Sequence, residues 1–118
     1  MVSERVGIAK EAVAGSGISL RCHFHNTRNT GIANAYAAVV EGVRALDASI
    51  GGIGGCPFAP RATGNIATED LVFMLERSGY STGIDIEALF SITEWLGEKL
   101  GKPVPGLLSR AGVFPPVP

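Results

Sequence analysis

No apolar run in this chain approaches the roughly 18 residues that cross a bilayer. The N-terminus carries an acid at Glu4 and lacks the long apolar core of a secretory leader. These absences predict a soluble, cytoplasmic protein. Charge is sparse as well: Asp, Glu, Lys and Arg make up 18% of the 118 residues, the formal net charge is -1, and the 10 basic side chains are scattered. Nucleic acid and anionic membrane each require a concentrated basic patch, so neither is expected as a partner. With only Cys22 and Cys56, at most one bridge is possible, and because Cys22 falls in a strand pattern both read as reduced thiols. What remains is a folded-protein composition, 46% hydrophobic with a mean hydropathy of +0.26, long enough for one modest core and one domain.

Val2 to Ala14 reads as an alanine-rich helix stopped by Gly15-Ser16-Gly17. Ile18 to His25 alternates as a strand, sending Cys22 and Phe24 to one face and His23 and His25 to the other. A polar turn over Asn26-Thr27-Arg28-Asn29-Thr30-Gly31 leads into a helix from Ile32 to Val43. The order then repeats. Arg44 to Ile50 is a short apolar strand, Gly51 to Gly64 a glycine and proline loop, and Thr68 to Arg77 a helix with Thr68 as expected N-cap and acids at Glu69 and Asp70 toward the positive end of its dipole. Tandem strand–loop–helix units are the repeat of parallel α/β proteins, whose chemistry sits in the loops after the strands. A last helix from about Asp85 to Leu100 puts Ile86, Leu89, Phe90, Thr93, Leu96 and Leu100 on one face, and Gly101 and Pro103 end it. The proline-rich tail, residues 103–118, reads as irregular.

His23 and His25, two apart on a strand, point the same way and can grip one metal ion, with an amide oxygen from Asn65 completing the grip. A hydrogen-bonded pair of core histidines fits the same spacing. Gly52, Gly54 and Gly55 let the loop backbone approach a ligand or move, or simply connect two elements. Pro57 and the surrounding spacing break the dinucleotide fingerprint, which disfavours a nucleotide cofactor. Cys56 follows the second strand closely, so in a parallel sheet it emerges at the same rim as the histidines, available as acid, base or nucleophile. Asn65 also reads as a loop or capping residue ahead of the helix.

His23-Phe24-His25, Gly52-Ile53-Gly54-Gly55-Cys56-Pro57 and Gly64-Asn65-Ile66-Ala67-Thr68-Glu69-Asp70 resemble, in order and spacing, the successive motifs of the hydroxymethylglutaryl-CoA lyases. The resemblance covers most of residues 18–80. The cysteine-bearing loop is its specific part, because the related isopropylmalate and homocitrate synthases have a shorter loop without this thiol. The resemblance implies a (β/α)₈ TIM barrel of which this chain holds the last two βα units plus a C-terminal helix, so that residues 1–118 form a C-terminal piece of the lyase domain. It further implies a divalent metal, Mg²⁺ or Mn²⁺, held by His23, His25 and Asn65. The substrate it implies is the acyl-CoA 3-hydroxy-3-methylglutaryl-CoA, to be split by retro-aldol cleavage to acetyl-CoA and acetoacetate, with Cys56 assisting proton transfer.

Two departures qualify what the resemblance implies. Asn26 stands where the family often has an acid, and Thr27-Arg28-Asn29 also differs, so a related 3-hydroxy acyl-CoA is an alternative substrate. Such a barrel needs about 200 residues or more, and the family's metal-binding Asp and its Arg on the first strand have no counterpart here. Open sheet edges and an uncovered apolar face are costly in water. The expectation is therefore a truncated or split-gene product that self-associates or pairs with a complementing N-terminal barrel chain, or else a non-catalytic remnant.

Overall fold

The computed structural model describes residues 1–55, 58 and 64–114. Helix α1 spans Val2–Ala12, β1 Arg21–His23, α2 Gly31–Val40, β2 Ala45–Asp47, α3 Thr68–Arg77, α4 Ile86–Leu100 and α5 Leu108–Ala111, with a single 3₁₀ turn at Ile50–Gly52. The protein is α/β. β1 and β2 run parallel, with Arg21 opposite Ala45, Cys22 opposite Leu46 and His23 opposite Asp47.

Strand alternation decides which side is covered. Cys22, Phe24 and Leu46 face the helices, where Val6 of α1, Ala38 of α2 and Val43 close over them. A second apolar cluster joins Ala35, Ile66 and Leu71 to Phe24, Leu46 and Ala48. Arg21, His23 and Asp47 occupy the uncovered face, where Arg21 Nη1 donates to Asp47 Oδ1 at 2.7 Å. The molecule is flat, 45 × 41 × 22 Å, and its radius of gyration of 15.4 Å exceeds the about 13.5 Å of a compact globule of this length.

Several expected boundaries move inward, and each shift has a local cause. The strands shrink to three residues apiece because the ladder beyond them is taken over by the segment 64–67: Asn26 N–H donates to the Gly64 carbonyl (3.0 Å), Ile66 N–H to Phe24 (3.3 Å), Ser49 N–H to Ile66 (3.1 Å) and Thr68 N–H to Ser49 (2.9 Å). His25 pairs with Asn65 as an isolated antiparallel bridge and Ser49 with Ala67 as a parallel one. Thr68 is the first residue of α3 rather than its cap; Ala67 holds the cap position with no side-chain bond. α4 matches its reading well, with Asp85 Oδ1 accepting from Glu87 and Ala88 N–H, Leu89 and Thr93 buried, and Gly101 left-handed at φ 64°.

The tail is more ordered than its composition suggests. Val104 and Leu108 are buried, Gly106 N–H donates to the Gly51 carbonyl at 2.8 Å, and Asp70 accepts from Leu107 and Leu108 N–H ahead of α5. The short α5 within 103–114 corrects the irregular reading; 115–118 lie outside the described residues. Among the described residues no helix is long and apolar enough to cross a membrane.

Asn26 has a structural task. Its Oδ1 accepts the Gly31 N–H at 3.0 Å at the start of α2, where Thr30 makes no side-chain cap bond. A carboxylate could accept there equally, so an amide in place of the acid keeps the contact. We expect Asn26→Ala to lower the unfolding free energy by about 1 kcal/mol and Asn26→Asp to stay within about 0.5 kcal/mol of the parent, measured by urea denaturation.

Candidate active site

Parallel pairing sends both strands out at one end of the sheet, and the expected site residues that are described collect there. His23 is exposed and His25 half-buried, with ring centroids 5.1 Å apart and planes at 73°. Backbone pairing fixes Asn65 against His25. The Asn65 carboxamide is oriented by its nitrogen, which donates to the Ile53 carbonyl at 2.9 Å, while Oδ1 has no hydrogen-bond partner among the described residues. The two imidazoles thus lie edge to face at the strand end, and the Asn65 backbone pairs with that of His25 beside them.

The glycine loop begins beside them. Gly52 is buried at φ 69°, and Gly54, at φ 109°, has room for no side chain, since a Cβ there would lie 2.7 Å from Asn65 Nδ2. Gly55 is exposed. The return limb is equally constrained: a Cβ on Gly64, also at φ 109°, would run into the carbonyls of Gly52 and Gly54. Cys56 lies outside the described residues, as do Pro57 and 59–63. Cys22, the other thiol, is unbridged and core-facing, and burial pushes its pKa up.

Sequence reasoning missed two acids. Asp47 lies opposite His23 in the parallel register; a carboxylate at a strand end was the available signal. Glu69 read only as a helix N-terminal acid, yet it is fully buried: Oε2 accepts the Gly51 N–H at 3.0 Å, while Oε1 has no hydrogen-bond partner among the described residues. Burial raises the Glu69 pKa above its ordinary value and nearby Asp70 adds to this, with the hydrogen bonds from its own backbone and from Gly51 opposing.

The donor set suits a metal in part. Imidazole nitrogens and an amide oxygen are competent ligands, but all three are neutral, and among the described residues no cluster of three or more His, Cys, Asp or Glu could hold a metal ion.

Comparison with known proteins agrees with the motifs. Residues 1–96 match the HMGL-like family model. The chain is 55% identical over 101 residues to the (R)-citramalyl-CoA lyase of Chloroflexus aurantiacus, covering 85% of this chain and 32% of that protein. It is 48% identical over 95 residues to the hydroxymethylglutaryl-CoA lyase of Pseudomonas mevalonii, covering 80% and 31% respectively. In structure it superposes on an HMG-CoA lyase from Acinetobacter baumannii, in complex with coenzyme A and 3-methylmalate, with a TM-score of 0.88 and 43% identity over 99% of this chain and 39% of that one. The chain belongs to the HMGL-like family, and it spans about a third of the length of the curated relatives it matches.

The raised pKa of Glu69 has a consequence for stability. A carboxyl whose folded pKa lies above its unfolded one favours folding below the unfolded value, and that contribution is lost as pH rises through the folded pKa. Glu69→Gln should therefore melt above the parent at neutral pH, with the gap narrowing to its minimum below pH about 4. Thermal unfolding followed by circular dichroism across pH checks this; a gap that widens toward acid would contradict it.

Proposed function

We propose that this member of the HMGL-like family supplies the His–His–Asn corner and the thiol loop of a metal-dependent carbon–carbon lyase acting on a 3-hydroxy acyl-CoA. What supports the reading is the edge-to-face pair of His23 and His25 with Asn65 bridged by backbone to His25 and bonded to Ile53, at the strand end from which the Gly52–Gly55 loop departs. In the barrel arrangement of this reading, the two strands and their helices are the last two βα units, and the flat shape with an uncovered polar face is what one sector of such a barrel presents.

His23, His25 and Asn65 would hold Mg²⁺ or Mn²⁺, which when bound supplies Lewis acidity toward the substrate oxygens. The chain's own residues do the rest. The Ile53 carbonyl orients Asn65, the glycines let the loop backbone lie close over the substrate, and Cys56 serves as the proton carrier. In the cleavage the 3-hydroxyl gives its proton to a base outside these residues, the bond between C2 and C3 breaks, C3 becomes a ketone, and C2, left as the enolate of acetyl-CoA, takes a proton from the thiol, whose thiolate is then reprotonated from that base or solvent. With 3-hydroxy-3-methylglutaryl-CoA the products are acetoacetate and acetyl-CoA. A second substrate is favoured by the 55% identity to a citramalyl-CoA lyase: citramalyl-CoA has the same 3-hydroxy-3-methyl centre with one methylene fewer in the acid arm.

On this reading the anionic ligands and the remaining strands lie outside these 118 residues, on the same polypeptide or on another. Further βα units have a place to pack, because β1 pairs on one side only among the described residues and an apolar groove of 590 Å³ lies between α1 and β1, lined by Val2, Val6, Leu20, Cys22 and Phe24 among others.

Two measurements test this reading. Titration calorimetry of the chain alone should show Mg²⁺ binding no tighter than millimolar, because all three donors are neutral; stoichiometric micromolar binding would contradict the donor set. Co-expression with the N-terminal two thirds of the Pseudomonas mevalonii lyase should give a soluble complex that cleaves 3-hydroxy-3-methylglutaryl-CoA or citramalyl-CoA with added Mg²⁺. Cys56→Ala should then lower kcat by about 10²-fold or more. A well-formed complex inactive on both substrates favours the non-catalytic remnant, and activity indifferent to Cys56→Ala removes the thiol from the mechanism.

A further inference from the structure

A fully buried carboxyl with one oxygen unpartnered is expensive, and nothing in the helix it belongs to requires it. Its surroundings supply a reason. Glu69 Oε2 accepts the Gly51 N–H at 3.0 Å, and the carbonyl of the same residue accepts the Gly106 N–H at 2.8 Å, so both polar groups of Gly51 are held from opposite sides. Gly51 is left-handed at φ 68°, and a Cβ on it would lie 2.8 Å from Val104 Cβ. Gly106 is fitted to the carboxyl in turn, since a Cβ there would overlap Glu69 Oε1. The adjacent acid, Asp70, accepts from Leu107 and Leu108 N–H and so fixes the segment that carries Gly106.

Two residues beyond Gly51, the Ile53 carbonyl accepts from Asn65 Nδ2 at 2.9 Å. We propose that Glu69 is a positioning residue: by holding the Gly51 amide, with Gly106 pressed against it, Glu69 sets where the Ile53 carbonyl lies and thereby which way the Asn65 oxygen points. Calling Asn65 a ligand rests on the reading above; the mechanical link from Glu69 to Asn65 does not.

The test is ¹⁵N NMR on the full 118-residue chain, with Gly51 amide exchange and the Asn65 side-chain amide resonances as readouts. In Glu69→Gln the carboxamide oxygen still accepts from Gly51, so both readouts should stay near the parent. In Glu69→Ala the Gly51 amide should exchange at least about tenfold faster, the loss of one protecting hydrogen bond. The Asn65 resonances should move toward those of a free carboxamide, while amides inside α4, such as Leu89, change less than about twofold. Unmoved Asn65 resonances overturn the proposal, as does equal acceleration through α4, which would make Glu69 a general stabiliser. Should Glu69→Ala fail to fold, Gly106→Ala decides from the opposite side: a shifted Asn65 with α4 intact supports the link, and an unshifted one overturns it. A complemented assembly without lyase activity, alongside the NMR result expected here, would sink the functional reading alone.

Discussion

One peptide holds the working end of this molecule together. Ile66 donates its N–H to the Phe24 carbonyl beyond β1 and offers its carbonyl to the Ser49 N–H beyond β2, so a single residue ties both strand ends after their own ladder has stopped. Its side chain is completely buried with Ala35 and Leu71, which drives the tie apolarly as well. Because side chains alternate along extended backbone, burying Ile66 turns Asn65 toward the histidines. Gly31 completes the arrangement: α2 starts so close that a Cβ there would overlap an Ile66 methyl and lie 2.8 Å from the His25 carbonyl. Core packing thus fixes the face on which the Asn65 side chain stands, while the bond to Ile53 orients its carboxamide.

That packing divides the sheet into two chemical faces. The helical side carries the apolar residues, and the other side carries His23, Arg21 and Asp47 with little to cover them. The Arg21–Asp47 pair stands largely in solvent, where such a pair contributes at most about 1 kcal/mol, so it does not hold the strands together here. Enclosed by further strands, the same charges would interact far more strongly and would require complete pairing.

Elements with a strong period were legible from the sequence, and so was the site's linear order. α4 announces itself through its apolar stripe, Asp85 and Gly101, and the sidedness of His23 and His25 follows from alternation alone. The strand lengths were not legible, because what shortens them is a tertiary event, the entry of residues 64–67 between the strand ends. Thr68 looked like a cap because local propensity favours it, but backbone pairing at Ala67 and Ser49 moved the helix start. The order of the tail was hidden for a similar reason: Gly106, Leu107 and Leu108 find partners about 37 to 55 residues away in sequence, at Asp70 and Gly51, which no window of local composition contains. Glu69 was visible as an acid at a helix start but not as a buried one, since burial depends on that same distant segment.

The chain supplies geometry more fully than charge. Its strand end presents two imidazoles and an oriented amide oxygen, all neutral as ligands, and the buried carboxyl nearby is committed to backbone. Neutral donors can set the shape of a divalent site but leave most of the cation's charge uncompensated, so binding must come largely from anionic oxygens. Placing those anions on a different part of the fold has a physical benefit, because carboxylates packed beside one another in a half-formed site would repel and raise one another's pKa. On the lyase reading, the portion of the relatives' length that this chain does not span is where such anions belong. Metal affinity would then report assembly: weak while the His–His–Asn corner stands alone, and strong only when strands bearing the acids close against β1.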